Sequence, residues 1–233
     1  FGPNAYSKPA AGLYMLRQTI MGPELFDHAF RTYSKRWMFK HPTPADFFRS
    51  MEDASGMDLD WFWRGWFYTT DVTDIGIKEV KPMYLTDKPN ERITNIIATN
   101  PRAKAYFDGL GDLVYFTDKK SDAKMDVMNQ YVKESSKTPT YIYEVEFEKP
   151  GGLAMPIIVE LTYADDSKER QTFPAQIWMK DDTSVKRVFA STKEVTHITL
   201  DPDLETADVD TSNNSWPKKE TDKFDQFKKK VTK

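Results

Sequence analysis

The spacing of the apolar residues changes once along this chain, near Asp71. Before that point they recur at every third or fourth position, which is typical of amphipathic helices, and after it they alternate with polar residues, as in half-buried strands. Helices followed by strands predict an α+β fold in which the two kinds of element are segregated. Because 233 residues can bury two modest cores, we place a domain boundary near residue 71, with a helical part at 1–70.

Four short helices are predicted between residues 9 and 68. The first occupies 9–21, and Gly22 followed by Pro23 indicates that a second helix starts where the first stops. The second helix ends near Lys40. Both helices carry apolar residues on one face: Leu13, Leu16 and Ile20 in the first, and Phe26, Ala29, Phe30, Tyr33 and Trp37 in the second. This pattern predicts that both pack against a core.

The third and fourth helices are predicted from their end signals. Thr43 as N-cap, with Asp46 three residues later, resembles a capping box, and Pro44 lies in the first turn. Gly56 is the expected left-handed stop of this helix, and Asp58 is expected to cap the next one. The fourth helix carries the apolar residues Leu59, Phe62, Trp63, Trp66 and Phe67.

Strands are predicted after residue 71. Ile75, Ile77 and Val80 alternate with polar residues and form the first strand. Further strand-like runs separated by turn residues are Tyr141–Glu148, Ile157–Tyr163, Gln171–Trp178, Val185–Ala190 and Val195–Leu200. Their spacing predicts an antiparallel β-sandwich over residues 71–211.

Two segments do not follow the sandwich pattern. Residues 83–138 are predicted to be a partly helical insertion, with helical stretches at Ala103–Phe107 and Lys124–Val132. From Ser212 to Lys233 the chain is polar and rich in lysine, which predicts a solvated or disordered tail.

Composition excludes several classes of protein and site. The 33 Lys and Arg residues are interspersed with acidic ones, and the net charge of −3 gives no attraction for phosphates, so we expect no nucleic-acid partner. A cysteine count of 0 excludes disulfides, thiolate metal sites and a cysteine nucleophile. No run approaches the roughly 18 apolar residues of a membrane span. The chain starts at Phe1 without a leader, which suggests a fragment of a longer protein.

The three histidines give no sign of a metal site. His28, His41 and His197 lie far apart, and none belongs to a His-Glu-x-x-His pair, which sets two imidazoles on one helix face for zinc. We therefore predict no metal site in this chain. No Gly-x-Ser-x-Gly elbow is present, and Gly109 and Gly111 lack the other residues of a phosphate-binding loop, so an ordinary loop is favoured there.

A run of oxygen-bearing side chains near the end of the chain leaves two interpretations open. Its members are Asp201, Asp203, Asp208, Asp210, Asn213 and Asn214. Carboxylate and amide oxygens are ligands for calcium, although the spacing is not that of an EF-hand loop. Turn chemistry alone also explains Asp and Asn at a strand exit, and we favour that interpretation.

The aromatic cluster at the end of the fourth helix also has two interpretations. Its members are Trp61, Phe62, Trp63, Trp66, Phe67 and Tyr68. Aromatic faces can stack on sugars, but helical spacing just before a domain boundary favours a core role. We expect Trp63 and Trp66 to be buried and to seal the helical part against the first strand.

The ordered series of segments in residues 1–75 resembles the gluzincin, aminopeptidase N-like zinc metallopeptidases. Tyr6–Ala10 (YSKPA) matches the Tyr-x-Lys-Gly/Pro-Ala stretch that opens a helix after the zinc helices of that family. The segments Gly22–Phe26, Lys40–Phe48, Ser55–Leu59 and Phe62–Phe67 are similar to its next helices. The resemblance extends more loosely over Tyr141 to Asn214 and leaves the insertion unexplained.

The resemblance implies a fold, an activity and one site residue. The fold would be the helical C-terminal portion of a thermolysin-like catalytic domain followed by an antiparallel β-sandwich. Tyr6 would be the catalytic tyrosine, whose hydroxyl donates a hydrogen bond to the oxyanion during peptide hydrolysis. The zinc ligands lie upstream in the family and are missing here, so zinc and the peptide substrate would be bound by the parent protein. This chain alone would be inert.

Two expectations remain broader. An extracytoplasmic bacterial location is compatible with this composition and resemblance. The alternative to a peptidase fragment is a non-catalytic module, in which the sandwich and insertion bind a protein or a surface ligand and the helical part is a scaffold.

Overall fold

The computed structural model describes residues 1–110, 115–120, 123, 139 and 141–218. Within these residues, six α-helices and two four-stranded antiparallel sheets occur, and the first four helices precede the first strand. The α+β prediction is therefore confirmed. No helix in the described ranges is both long and apolar enough to cross a membrane.

The helical part contains α1 (Lys8–Met15), α2 (Pro23–Trp37), α3 (Pro44–Ser55) and α4 (Asp60–Tyr68). A π-helical turn at Pro3–Ser7 precedes α1 and another at Leu16–Ile20 follows it, so helical structure starts earlier than residue 9. The second helix ends at Trp37, a little before the predicted end.

Local signals explain most of the helix ends. Thr43 and Asp46 form the predicted capping box, in which each side chain accepts a hydrogen bond from the backbone N–H of the other residue. Gly56 ends α3 with φ of 67°, a left-handed conformation that costs glycine little. The predicted cap of α4 is wrong, because the N-cap residue is Leu59, although Asp58 Oδ1 accepts a hydrogen bond from the Asp60 N–H at 3.1 Å.

The strands are β1 (Gly76–Thr86), β2 (Tyr115–Thr117), β3 (Tyr141–Glu148), β4 (Ile157–Tyr163), β5 (Lys168–Phe173), β6 (Ser184–Ser191), β7 (Val195–Leu200) and β8 (Ser215–Trp216). One sheet has the order β2-β1-β3-β6 and the other β5-β4-β7-β8. The predicted runs coincide with β3, β4 and β7. The run predicted at Gln171–Trp178 is partly wrong: Pro174 has no N–H for a ladder, and a 3₁₀ helix follows at Ala175–Met179.

The insertion and the tail differ from their predictions in extent. Strand β1 continues to Thr86, and Tyr115–Thr117 pairs with it as β2, so both ends of that stretch belong to the sheet. Between them lie α5 (Glu91–Thr99) and α6 (Pro101–Gly109), which includes the predicted helical stretch at 103–107. The predicted helix at 124–132 and the tail at 219–233 fall outside the described residues. Strand β8 shows that the tail starts later than residue 212.

One hydrophobic core runs from the helices into the sandwich. Gly65 of α4 lies against Leu153, and a Cβ at this position would clash with the Leu153 side chain. Next to this contact, the Val72 N–H donates to the Gly151 carbonyl at 3.1 Å, and the Leu153 N–H donates to the Val72 carbonyl at 3.3 Å. The helical part therefore meets the sandwich at the loop before β4.

Trp63 and Trp66 are buried as predicted, and their ring–ring contacts lie within the helical part. Trp63 is 2% exposed and packs on Phe47, Phe48, Phe62 and Phe67. Trp66 stacks on Phe62 and reaches α1. The expected seal against the first strand is thus displaced to Gly65 and Leu153.

Replacing Trp63 by alanine is expected to lower the free energy of unfolding by about 3 to 5 kcal/mol, because the vacated space lies in a closely packed core. Tyr68→Ala in the same helix is the control: Tyr68 is 67% exposed, and its loss should change stability by about 0.5 kcal/mol or less. Urea unfolding of both variants measures the difference. Equal effects would contradict the core role of Trp63.

Candidate functional site

Tyr6 lies in the π-helical turn Pro3–Ser7 that leads into α1. The Lys8 N–H donates to the carbonyl of Pro3, five residues earlier, which defines this wider turn. The Tyr6 side chain is 71% exposed. Its hydroxyl has no hydrogen-bond partner among the residues that the structure describes, so it is free to donate to a molecule from outside.

The backbone that carries Tyr6 is anchored by Trp66. The Trp66 Nε1–H donates to the Lys8 carbonyl at 2.9 Å, and the Lys8 Nζ lies 5.4 Å from the centroid of the indole, within range of a cation–π interaction. Gly12, one turn further along α1, allows the close approach, because a Cβ there would lie 2.5 Å from Trp66 Nε1. The position of Tyr6 is therefore set by α4, while its phenol stays in solvent.

The histidines do not form a metal site in the described part of the chain. All three are exposed; His28 lies on α2, His41 follows that helix, and His197 lies on β7. The one group of three potential metal-ligating side chains found among the described residues is Glu52, Asp58 and Asp60, whose carboxylate oxygens lie within 4.8 Å of one another.

The sequence pattern does not identify this carboxylate group, because its members meet only when α3 and α4 pack around the turn between them. Glu52 Oε1 accepts a hydrogen bond from the Leu59 N–H at 2.9 Å, and Asp58 accepts one from Asp60. These bonds satisfy backbone groups at the start of α4, which is a structural role.

The aromatic cluster provides a poor platform for a sugar. An open cavity of about 470 Å³ is lined by Phe48, Asp60, Trp61, Trp63, Arg64 and Tyr68. Phe48 stacks on Trp63 with ring centroids 4.5 Å apart and planes at 17°, so a Trp63 face is already covered by protein. Since Phe62, Trp63 and Trp66 are buried, the core interpretation is correct for these three rings.

The acidic run is divided between different roles. Asp201 is a buried turn residue, whose carboxylate accepts hydrogen bonds from the Glu205 and Thr206 N–H groups at 2.7 and 2.9 Å. Asp203 forms an exposed ion pair with Arg170 at 2.6 Å. Turn chemistry thus explains Asp201, as expected. Gly109 ends α6, and Gly111 lies outside the described residues.

Comparisons with known proteins do not assign the chain to a family. No family model matches it, and no curated protein matches it. Among solved structures, the chain resembles Legionella pneumophila aminopeptidase A in complex with aspartic acid, at 17% identity and a TM-score of 0.43. The match covers 84% of this chain and 16% of that one, so the chain spans a small part of the protein that it resembles. A similarity this weak establishes neither a family nor an activity.

We predict that the purified chain retains no stoichiometric zinc, because the described residues bring no histidine together with other ligands of the kind zinc prefers. Elemental analysis after dialysis against a weak chelator measures the zinc content. Glu52→Gln should leave this content unchanged. One tightly held zinc per chain would show that a ligand set has been overlooked.

Proposed function

We propose that this chain is the C-terminal part of a zinc-dependent, aminopeptidase-like metallopeptidase and that Tyr6 stabilises the oxyanion during peptide-bond hydrolysis. The sequence resemblance of residues 1–75 motivates the proposal. The observation that supports it best is the position of Tyr6, an exposed phenol without a hydrogen-bond partner among the described residues, in the turn before a helix that Trp66 holds in place.

An oxyanion donor has to combine a fixed backbone with a free hydroxyl. It acts when it lies about 2.7–3.1 Å from the oxygen that becomes charged in the transition state. A phenol already bonded within the protein would have to break that bond first. Tyr6 has no such bond to a described residue, whereas the Lys8 carbonyl close to it in sequence is held by Trp66.

The described residues do not fit zinc, so the metal and the water-activating base would have to come from elsewhere in the parent protein. The contribution of this chain would be limited to binding energy from one hydroxyl group. Such a group assists hydrolysis and cannot start it, because a phenol with no base beside it does not activate water.

In the intact parent protein, Tyr6→Phe is expected to lower kcat by about 100- to 1000-fold with little change in KM or zinc content. The substitution keeps the ring and removes one donor to a charge that exists only in the transition state. Tyr14→Phe is the matched control, since Tyr14 is an exposed tyrosine on the following helix, α1, and this variant should retain full activity. Steady-state kinetics on amino-acid amides measure both.

An active, zinc-containing parent that keeps nearly full turnover with Tyr6→Phe would refute the role of Tyr6. A parent without zinc or peptidase activity would refute the proposed function itself. The second result would favour a non-catalytic interaction module.

The 233-residue chain alone is expected to show no metal-dependent turnover of amino-acid amides, because it would lack the activated water. A chromogenic assay with and without added zinc measures this turnover. The intact parent protein, purified and assayed in the same way, is the positive control. Turnover by the chain alone that Tyr6→Phe abolishes would contradict the division of the active site proposed above.

A further inference from the structure

Two distant segments, 73–75 and 208–214, meet where the chain enters the sandwich. The Val209 N–H donates to the Thr73 carbonyl at 3.0 Å, and the Ile75 N–H donates to Asp208 Oδ2 at 3.3 Å. The second segment is also tied to the sheet, since the Leu200 N–H of β7 donates to the Asn214 carbonyl at 2.8 Å. These bonds hold several oxygen-bearing side chains in one place.

Two carboxylates of this junction are each paired with an asparagine. Asn213 Nδ2 donates to Asp74 Oδ1 at 2.8 Å, and Asn214 Nδ2 donates to Asp208 Oδ2 at 3.1 Å. These orientations are the favourable ones, because a flipped amide would place its oxygen against a carboxylate. Each amide oxygen is bonded to the same carbon as its nitrogen and therefore lies in the same junction as the carboxylate.

Three oxygen atoms of the junction are buried without a hydrogen-bond partner among the described residues: Thr73 Oγ1, Asn213 Oδ1 and Asn214 Oδ1. Thr73 is only 1% exposed and Asn214 only 4% exposed. Buried polar atoms in folded proteins nearly always have a partner, so these three oxygens indicate that a water molecule or an ion is bound in the junction.

The charge of the junction points to the same conclusion. In the described part of the chain, neither Asp74 nor Asp208 forms an ion pair with Lys, Arg or His. Burial raises the pKa of the Asp208 carboxyl above its ordinary value, and the negative charge of Asp74 raises it further, against three hydrogen bonds that lower it. The attraction of a bound cation would offset both the repulsion between the carboxylates and the cost of burying them.

We propose that Thr73, Asp74, Asp208, Asn213 and Asn214 form a binding site for one Ca²⁺ ion. All the donors offered are oxygens, and two of them are carboxylates, which is the ligand set that hard cations prefer. Calcium accepts an irregular set of side-chain oxygens completed by water, whereas Mg²⁺ demands a near-ideal octahedron at shorter distances. The two amide oxygens are hydrogen-bond acceptors only, so they cannot bond to each other, but both can act as ligands of a cation.

The backbone around the junction is shaped for these side chains. Gly76 lies against Asn213, and a Cβ at residue 76 would lie 2.6 Å from Asn213 Nδ2. Any other residue would displace the Asn213 amide from Asp74. The ion would link the segment that leads into β1 to the segment between β7 and β8. In chain order, these two segments lie at the start and near the end of the sandwich.

The test is a calorimetric titration of CaCl₂ into the full 233-residue chain after removal of divalent ions. We expect one Ca²⁺ per chain with a dissociation constant below about 1 mM, and a rise in Tm with calcium. MgCl₂ at the same concentration, and NaCl at the same ionic strength, should raise Tm much less. No binding of Ca²⁺ by the wild-type chain, or equal stabilisation by all three salts, would overturn the proposal.

The variants locate the site. Asp208→Asn should weaken Ca²⁺ binding by about 10-fold or more, since it removes a charged ligand with little change in shape. Asp203→Asn is the control, because this exposed carboxylate belongs to the same acidic run but pairs with Arg170. Should Asp208→Asn fail to fold, the half-buried Asp74→Asn takes its place. Equal loss of affinity in the control and the site variants would refute this location.

Discussion

The contact between the Trp66 indole and the backbone of α1 determines how the helical part is arranged. Only a glycine at residue 12 lets the ring lie so close, and the same ring holds the Lys8 carbonyl and lies under the Lys8 ammonium group. A buried N–H without an acceptor costs on the order of 1–3 kcal/mol, so the hydrogen bond also favours this one placement of α1 over others that would bury the ring equally well. The turn that carries Tyr6 leads directly into α1, so the placement of α1 also sets the position of this turn.

Helix α4 transmits this arrangement to the sandwich. One side of it holds α1 through Trp66, and Gly65, the preceding residue, meets Leu153 in the loop before β4. The backbone bonds of Val72 to that loop lie directly before Thr73 and Asp74 in the chain. The segment that carries two of the proposed calcium ligands is therefore fixed on one side by the loop before β4, and on the other by the bonds to residues 208–214.

The sequence was a good guide wherever structure depends on neighbouring residues. The capping box at Thr43, the left-handed Gly56 and the period-two runs of β3, β4 and β7 are all local patterns, and all are found. The run predicted across Pro174 is wrong because its apolar residues continue after the ladder has ended. The sequence does not predict the cap of α4 correctly, because an N-cap signal considers only residues next to the helix start. Here Glu52, seven residues before Leu59, accepts a hydrogen bond from the Leu59 N–H.

The candidate sites were predictable to different degrees for the same reason. Tyr6 is identified by the contiguous segment Tyr6–Ala10. The exposure of its side chain depends on the rest of the fold, so no pattern within this segment predicts it. The pairing of Asp74 with Asn213 joins residues 139 positions apart, so the oxygen-rich run near the C-terminus does not by itself identify two of the five proposed ligands, Thr73 and Asp74. Turn chemistry was sufficient for Asp201, whereas Asp208 depends on this distant partner segment.

A hydrogen-bond donor for catalysis and a cation site make opposite demands on burial. The Tyr6 hydroxyl has to meet a substrate held elsewhere, so it is useful only if the protein leaves it exposed and fixes the backbone beneath it. Oxygen ligands bind a cation well only if they are withdrawn from competing water and prearranged, which leaves them costly to bury without the ion. Within the part of the chain that the structure describes, the exposed phenol of Tyr6 and the buried oxygens of Thr73 and Asn214 therefore lack partners for different physical reasons. The first costs almost nothing in the absence of a ligand, because water solvates the hydroxyl. The buried oxygens favour binding of a cation, and this couples binding of the ion to the stability of the fold.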